Sequence, residues 1–315
     1  MSAYLIRRFG TSVIILVGIS IFMFVLLRAV FPSPAIIVLG PKASPTAVKI
    51  WNQQNGFSEP VIVQYWKYME GVFHGNLGYS YKLNQSVTAL LGERWARSAY
   101  LSGAGLVLAI LIAIPLGIYQ AVKRNSFGDQ AITSVAFTAY AMPDFLLYLI
   151  AIQIFALSFH VFGFEASQST SIATVVGDWH DMTLPIVCLT LLVLAGYSRY
   201  MRGSAMEALA QDYIKTARAK GLPERLVLWR HLVRNACLPM ITLIGLSIPA
   251  LLAGNLIAEF VFNYDGLGLL FYSSLSNEDY PVLIAYTLIG AVLTVVGNLV
   301  ADIALTVADP RIRLS

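Results

Sequence analysis

Six stretches of this chain are apolar for long enough to cross a lipid bilayer, and that feature excludes most folds. A hydrocarbon core roughly 30 Å thick requires about 20 predominantly apolar residues per helix. The windows fall at residues 9–31, 99–122, 131–159, 182–201, 236–262 and 282–307. Charge is correspondingly scarce: 12% of the chain is Asp, Glu, Lys or Arg, against about 25% in soluble domains. Closed β-barrels also span membranes, but they read as alternating segments of about ten residues. Long continuous runs predict an all-α polytopic membrane protein with six transmembrane helices. The third and last windows are long enough to require tilt or a helical extension. Pro115, Pro143, Pro185 and Pro249 lie inside the windows and predict kinks within a packed bundle.

The first window is preceded by Arg7 and Arg8 and ends near Arg28, which can snorkel outward. A cleaved signal peptide would have a shorter apolar run and a small-residue cleavage site; the stretch from Arg28 to Pro32 offers none. Cys188 and Cys237 lie in or beside apolar runs and read as small core residues.

Positive charge sets orientation. Arg7, Arg8, Lys123, Arg124, Arg311, Arg313 and the segment 199–235 share one side of a six-span arrangement. The two short loops on the other side, 160–181 and 263–281, contain no Lys or Arg. Both termini and the 199–235 segment are therefore expected in the cytoplasm, with the loop 32–98 outside. In that loop, 61–69 reads as a short amphipathic helix at the membrane surface, where it can touch an external protein or pack on its own bundle.

The 199–235 segment has its own local structure. Asp212 is placed to cap a helix running to Lys220, and Gly221 suits the position just past its C-terminus. A second helix is predicted from Pro223 to Asn235, with an apolar stripe of Leu228, Trp229, Leu232 and Val233 and with Arg225, Arg230 and Arg234 largely off it. Two readings stand: a cationic helix touching anionic lipid, or a docking element. In the second, the small side chains of Ala217 and Ala219 let a partner's groove approach the backbone.

The run Asp212-Tyr-Ile-Lys-Thr-Ala-Arg-Ala-Lys-Gly-Leu222, continuing to His231-Leu-Val-Arg-Asn-Ala-Cys-Leu-Pro239, resembles the cytoplasmic loop of binding-protein-dependent ABC permeases. The closest likeness is to the B-type subunit of dipeptide and oligopeptide importers. Tyr4-Leu-Ile-Arg-Arg8, Gly75-Asn-Leu-Gly78, Glu259-Phe-Val-Phe262, Asp265-Gly-Leu-Gly-Leu-Leu270, Asp279-Tyr-Pro281 and Asp309-Pro-Arg311 extend it over nearly the whole chain. The resemblance implies a type I ABC importer permease fold: a first span (1–31), an outer region (32–98), a five-span core (99–308) and a cytoplasmic tail (309–315). It also implies partners: two cytoplasmic ATPase domains that bind ATP and Mg²⁺, a second homologous permease subunit and an external substrate-binding protein. Carried over, the ATPase-docking helix is Asp212, Tyr213, Thr216, Ala217, Arg218, Ala219, Lys220 and Gly221. One departure stands out: the wider superfamily has Glu-Ala-Ala where this chain has Lys215-Thr216-Ala217, which removes a Glu-based contact. Relatives carry dipeptides, longer peptides, glutathione or nickel.

The chain itself lacks the Gly-x4-Gly-Lys-Ser/Thr loop that cradles ATP phosphates, so no cofactor or catalytic role is expected of it. His74, His160, His180 and His231 are scattered, and His180-Asp181 reads as a solvated pair. The net charge of +4 follows from topology and calls for no nucleic acid. A rival class, the ion-coupled secondary transporter, predicts inverted repeats that are not evident. A channel would want a pore-lining filter, and a membrane enzyme would want clustered intramembrane His, Asp or Glu.

Charge inside a span is costly, which singles out Asp144, Glu259 and Asp302. Asp144 either faces a translocation path, where it would attract a peptide ammonium, or pairs with another helix or lies near an interface. Glu259, near a span end, matches a glutamate of the resembled family, which implies a part in organising an outer gate; the alternative is anchoring at the interface. Gly103, Gly105, Gly245, Gly254, Gly290 and Gly297 suit close helix packing.

Overall fold

The computed structural model describes residues 2–31 and 33–308. The expected tail, 309–315, lies outside the described residues. The elements run α1 (Ser2–Val30), α2 (Ala35–Leu39), α3 (Pro45–Gln54), α4 (Val61–Phe73), then a hairpin of β1 (Tyr79–Ser80) and β2 (Gln85–Ser86). Next come α5 (Val87–Val122), α6 (Phe127–Ala141), α7 (Asp144–Ala151) continuing as a π-helix over Ile152–Ser158, α8 (Ile172–Gly177) and α9 (Trp179–Leu209). After α10 (Asp212–Ala219), α11 (Glu224–Leu226) passes through a π-helical stretch, Val227–Leu232, into α12 (Val233–Ala236). The chain ends with α13 (Leu238–Ala253), α14 (Leu256–Val261), α15 (Leu267–Ser276) and α16 (Tyr280–Ala308).

Four helices cross-section the bilayer by length and apolarity: Gly10–Val30, Val87–Val122, Trp179–Leu209 and Tyr280–Ile303. Two further spans would be bent pairs, Phe127–Ala141 with Asp144–Ser158 at 108° and Glu224–Ala236 with Leu238–Ile248 at 46°. The protein is thus an all-α polytopic membrane protein with, among the described residues, four continuous spans, or up to six if each bent pair counts as one. Large side chains such as Ile14, Leu111 and Val135 are more than 60% exposed. In a bilayer that exposure carries no hydrophobic penalty.

The span expected at 131–159, with a kink at Pro143, is instead broken into two helices there. Proline disfavours helical backbone at the residue before it and has no N–H to give. Met142 accordingly lies at φ −79°, ψ 136°, and α7 leaves at 108°. At 1.5 Å per residue the 15-residue α6 reaches about 22 Å, short of a full crossing. Pro115 and Pro185, by contrast, stay inside continuous helices. The expected span 236–262 is interrupted too. Gly254, at φ 85°, ends α13, and the Asn255 side chain restarts the chain as α14 by accepting the Ala258 N–H at 3.0 Å.

Helices α5 and α9 form the spine. They approach so closely at Gly105 and Gly117 that an added Cβ would stand 2.9 Å from Leu189 and 2.6 Å from Met201. Gly245 meets Ala301 of α16 in the same way, at 2.3 Å. Gly103 and Gly290 have open space beside them, so they do not serve the packing role expected of them.

The stretch 33–98 is largely helical. Tyr65 of α4 packs edge-on against Phe24 of α1 and shares a 2.8 Å hydrogen bond with Ser20. Arg28 lies over the Phe57 ring at 4.4 Å and donates to Gln64. The hairpin is tied to the start of α16 by Ser80, whose buried hydroxyl donates to Asp279.

Candidate functional site

The 199–235 segment is built on its own core. Helix α9 continues past the apolar span to Leu209, and after a turn α10 lies back against it. Ile214 and Ala217 of α10 are buried with Met201 and Ala205 of α9 and with Val227 and Leu232. The i, i+3 spacing of Ile214 and Ala217 puts both on one face. Asp212, Tyr213, Lys215, Thr216, Arg218, Ala219, Lys220 and Gly221 are exposed.

Three expectations change here. Ala217, expected to make room for a partner, instead packs inward at 5% exposure, so only Ala219 of that pair faces out. Asp212 does not cap: Gln211 holds the cap position without a side-chain bond, and the Asp212 carboxylate takes Lys215 Nζ at 2.9 Å. The stripe of the second helix is also rotated. Each π-helical turn holds more residues than an α-turn, so Val227 and Leu232 are wholly buried while Trp229 is 68% exposed.

The turn after α10 closes as expected. Gly221 takes φ 75°, its N–H reaches Arg218 O at 2.9 Å, and the Leu222 N–H reaches Ala217 O at 3.3 Å. These are the paired bonds of a left-handed helix stop, with Leu222 packed on the same cluster. Arg218 then makes a two-pronged contact with Glu224, at 2.6 and 3.2 Å, which holds the Glu224 carboxyl below the usual range. Ser204 anchors α9 to α12 by donating to Ala236 O at 2.8 Å.

One pair at this end was not legible in the sequence. Asp129, at the start of α6 and 2% exposed, accepts both Arg202 Nε and Nη2 at 2.9 Å and the Asn125 N–H at 2.9 Å. It clamps the α5–α6 turn onto α9. Arg202 carried only a topological meaning in the sequence; a buried carboxylate opposite it required the fold.

At the other end a second network forms around Glu259. It is wholly buried, so the interfacial-anchor expectation does not hold. Its Oε1 accepts Ser98 Oγ at 2.7 Å and the Asn255 N–H at 3.3 Å; Oε2 accepts the Gly268 and Leu269 N–H groups at 2.6 and 3.2 Å. Ser98 Oγ in turn accepts the Leu267 N–H at 2.7 Å. The carboxylate therefore sits on the amino end of α15, where unpaired N–H groups favour an anion. Beside it Asp265 receives Arg94 at 2.8 Å and Arg97 at 3.1 Å, and Tyr264 donates to Arg97 O at 3.0 Å. Together these bonds pin the 254–269 stretch to the amino-terminal part of α5.

Asp144 is exposed in the first turn of α7, at the break after Pro143. No hydrogen bond among the described residues joins it to Glu259. His180 and Asp181 form an exposed 2.6 Å pair. Among the described residues, no group of three or more His, Cys, Asp or Glu side chains is placed to hold a metal.

Residues 113–314 match the family described as binding-protein-dependent transport system inner membrane component, and residues 1–104 match the N-terminal part of the same membrane component. The chain is similar to the oligopeptide transport system permease protein AppB of Bacillus subtilis, 38% identical over 99% of this chain and 100% of the relative. It is also similar to the glutathione transport system permease protein GsiC of Escherichia coli O6:H1, 32% identical over 99% of each. The apolar spans, the inward-anchored α10 and these full-length matches agree: the chain is a multi-pass inner-membrane permease subunit, not an enzyme, and belongs to the binding-protein-dependent transport system inner membrane component family.

Proposed function

We propose that this chain is one membrane half of an ATP-driven importer for di- or oligopeptides. A second homologous permease subunit would complete the path, and an external binding protein would deliver the peptide. Two ATPase domains holding ATP and Mg²⁺ would drive the cycle from the cytoplasm, where the charge pattern puts both termini and the 199–235 segment. The observation that carries this reading is the construction of α10. A helix of eight residues is too short to be stable alone. This one is held by buried Ile214 and Ala217 and by the stop at Gly221, and so it can offer Tyr213, Thr216, Arg218, Ala219 and Lys220 to a partner as a rigid surface. Ala217 acts from beneath, by positioning. Force applied to α10 passes through its core to α9 and α12, hence into two spans. Asp144, at the broken helix, is the proposed attraction point for a peptide ammonium. Glutathione is a second substrate reading, favoured by the likeness to a glutathione permease.

Affinity purification from the native membrane tests the core of it. P-loop ATPase subunits and a second multi-span protein should accompany the wild-type chain. Ala219→Trp, on the exposed face, should release the ATPases without lowering the amount of inserted chain. Full retention of the ATPases by Ala219→Trp would move docking away from α10.

A further inference from the structure

The helix that follows the coupling turn has an outward face that the proposed docking role does not use. Its inward side chains, Val227 and Leu232, are wholly buried. Outward stand Leu226 and Trp229, 36% and 68% exposed, flanked by exposed Arg225, Arg230 and Arg234. None of these arginines forms an ion pair among the described residues; the nearby carboxylates of Asp212 and Glu224 are taken by Lys215 and Arg218. The helix is also continuous with a span: α12 ends at Ala236, α13 begins at Leu238, and the two parts meet at only 46°. Arg234 thus stands within one turn of apolar helix.

An exposed tryptophan beside unpaired arginines at the mouth of a span is the composition of a helix lying in a headgroup layer. The geometry points to an anionic-phospholipid site on this face: Trp229 and Leu226 enter the acyl boundary while Arg225, Arg230 and Arg234 hold headgroup phosphates. Lipid is the favoured occupant because the helix carrying Trp229 runs directly into an apolar span. The arginines are the charge complement of an anionic leaflet, each favouring it on the order of fivefold. The inference rests on the proposed cytoplasmic placement only for which leaflet is meant. It places a second, lipid-held support on the segment that carries α10, so lipid composition would bear on how firmly the segment is seated.

Trp229 can be read separately, because Trp51, Trp66, Trp95 and Trp179 lie in or before the opposite ends of α5 and α9. The full-length chain is placed in nanodiscs of phosphatidylcholine and phosphatidylglycerol, with acyl-brominated quencher carried on one lipid or the other. Wild type minus Trp229→Phe isolates the signal of Trp229. That signal should be quenched more steeply per mole of brominated phosphatidylglycerol than of brominated phosphatidylcholine, by about fivefold or more, since one arginine alone supplies that factor. R225Q/R230Q/R234Q should abolish the preference while leaving the thermal midpoint unchanged. Equal quenching by both lipids overturns headgroup selection, and no quenching by either shows that a protein, not lipid, covers this face. Both leaflets are identical in a nanodisc and no transport is measured, so failure here leaves the importer reading to its own test.

Discussion

Glu259 Oε2 lies 2.6 Å from the backbone nitrogen of Gly268, so the first turn of α15 is closed by a carboxylate from a neighbouring helix. Gly266 and Gly268 make the approach possible: a Cβ on Gly266 would stand 2.4 Å from Glu259 Oε2, and one on Gly268 would stand 2.6 Å from Leu256 Cα. Glu259→Ala would strand the Gly268 and Leu269 N–H groups and Ser98 Oγ in a buried site. The expected loss is about 3 kcal/mol or more, read as a fall in the unfolding midpoint of the purified protein in nanodiscs. Glu259→Gln keeps one acceptor and should lose less. Equal midpoints for wild type and Glu259→Ala would mean that α15 is held by other contacts.

The α5–α9 spine makes a paired prediction about glycine. At Gly117 an added methyl meets Met201 on the facing helix, and forced overpacking costs about 1–3 kcal/mol. At Gly103, on the same helix, nothing stands within 4 Å, and alanine should stabilise by about 0.5–1 kcal/mol through helix propensity. Gly117→Ala should therefore lower the thermal midpoint and Gly103→Ala should hold or raise it. Two shifts of the same sign would show that the close approach at Gly117 is not rigid.

Much of the scaffold was readable because apolar run length reports a bilayer directly. The starts of several elements have local causes that the apolar pattern did not single out: Ser44, Ser86 and Ser126 each cap a helix through their own side chains. Gly221 stops α10 because its backbone goes left-handed. Burial was less legible. In a bilayer both lipid-facing and core-facing residues are apolar, so hydrophobicity could not tell Ala217, turned inward, from Ala219, turned out. The π-helical turn shifted Trp229 away from the face that α-helical spacing assigned it. Long-range polar partners were invisible for another reason. Asp129 finds Arg202, and Glu259 finds Ser98, across most of the fold, and no local pattern encodes such a meeting. Pro143 was visible as a kink, but only packing decides between a kink and a 108° break.

The Arg218–Glu224 contact makes the turn after α10 sensitive to acid. Arg218 lowers the Glu224 carboxyl below its value in an unfolded chain. A group depressed in the folded state contributes stability above its unfolded pKa, about 4.3, and loses it as pH falls through the folded value. Amide exchange over 217–224, corrected for intrinsic rate, should thus be slow at neutral pH and accelerate from about pH 4 downward. Glu224→Gln should show the faster rate at neutral pH with a flatter profile. Both partners are about half exposed, so the effect should be small and weaken with salt. An identical pH profile in Glu224→Gln would assign the change to another carboxylate.

Asp144 offers the sharpest test of the proposed peptide path. It is exposed at the amino end of α7, beside a 108° break that opens the helix backbone. If its carboxylate attracts the ammonium end of a passing peptide, Asp144→Asn removes the attraction and leaves shape and assembly unchanged. An exposed ion pair contributes about 0.2–1 kcal/mol, so uptake at low peptide concentration should fall by no more than about fivefold. N-acetylated peptides, which lack the ammonium, should be carried equally by wild type and variant. ATPase subunits should co-purify with both. Identical uptake of free peptides by wild type and Asp144→Asn would take Asp144 off the path. A fall shared equally by acetylated peptides would instead make its role one of holding the break at Pro143.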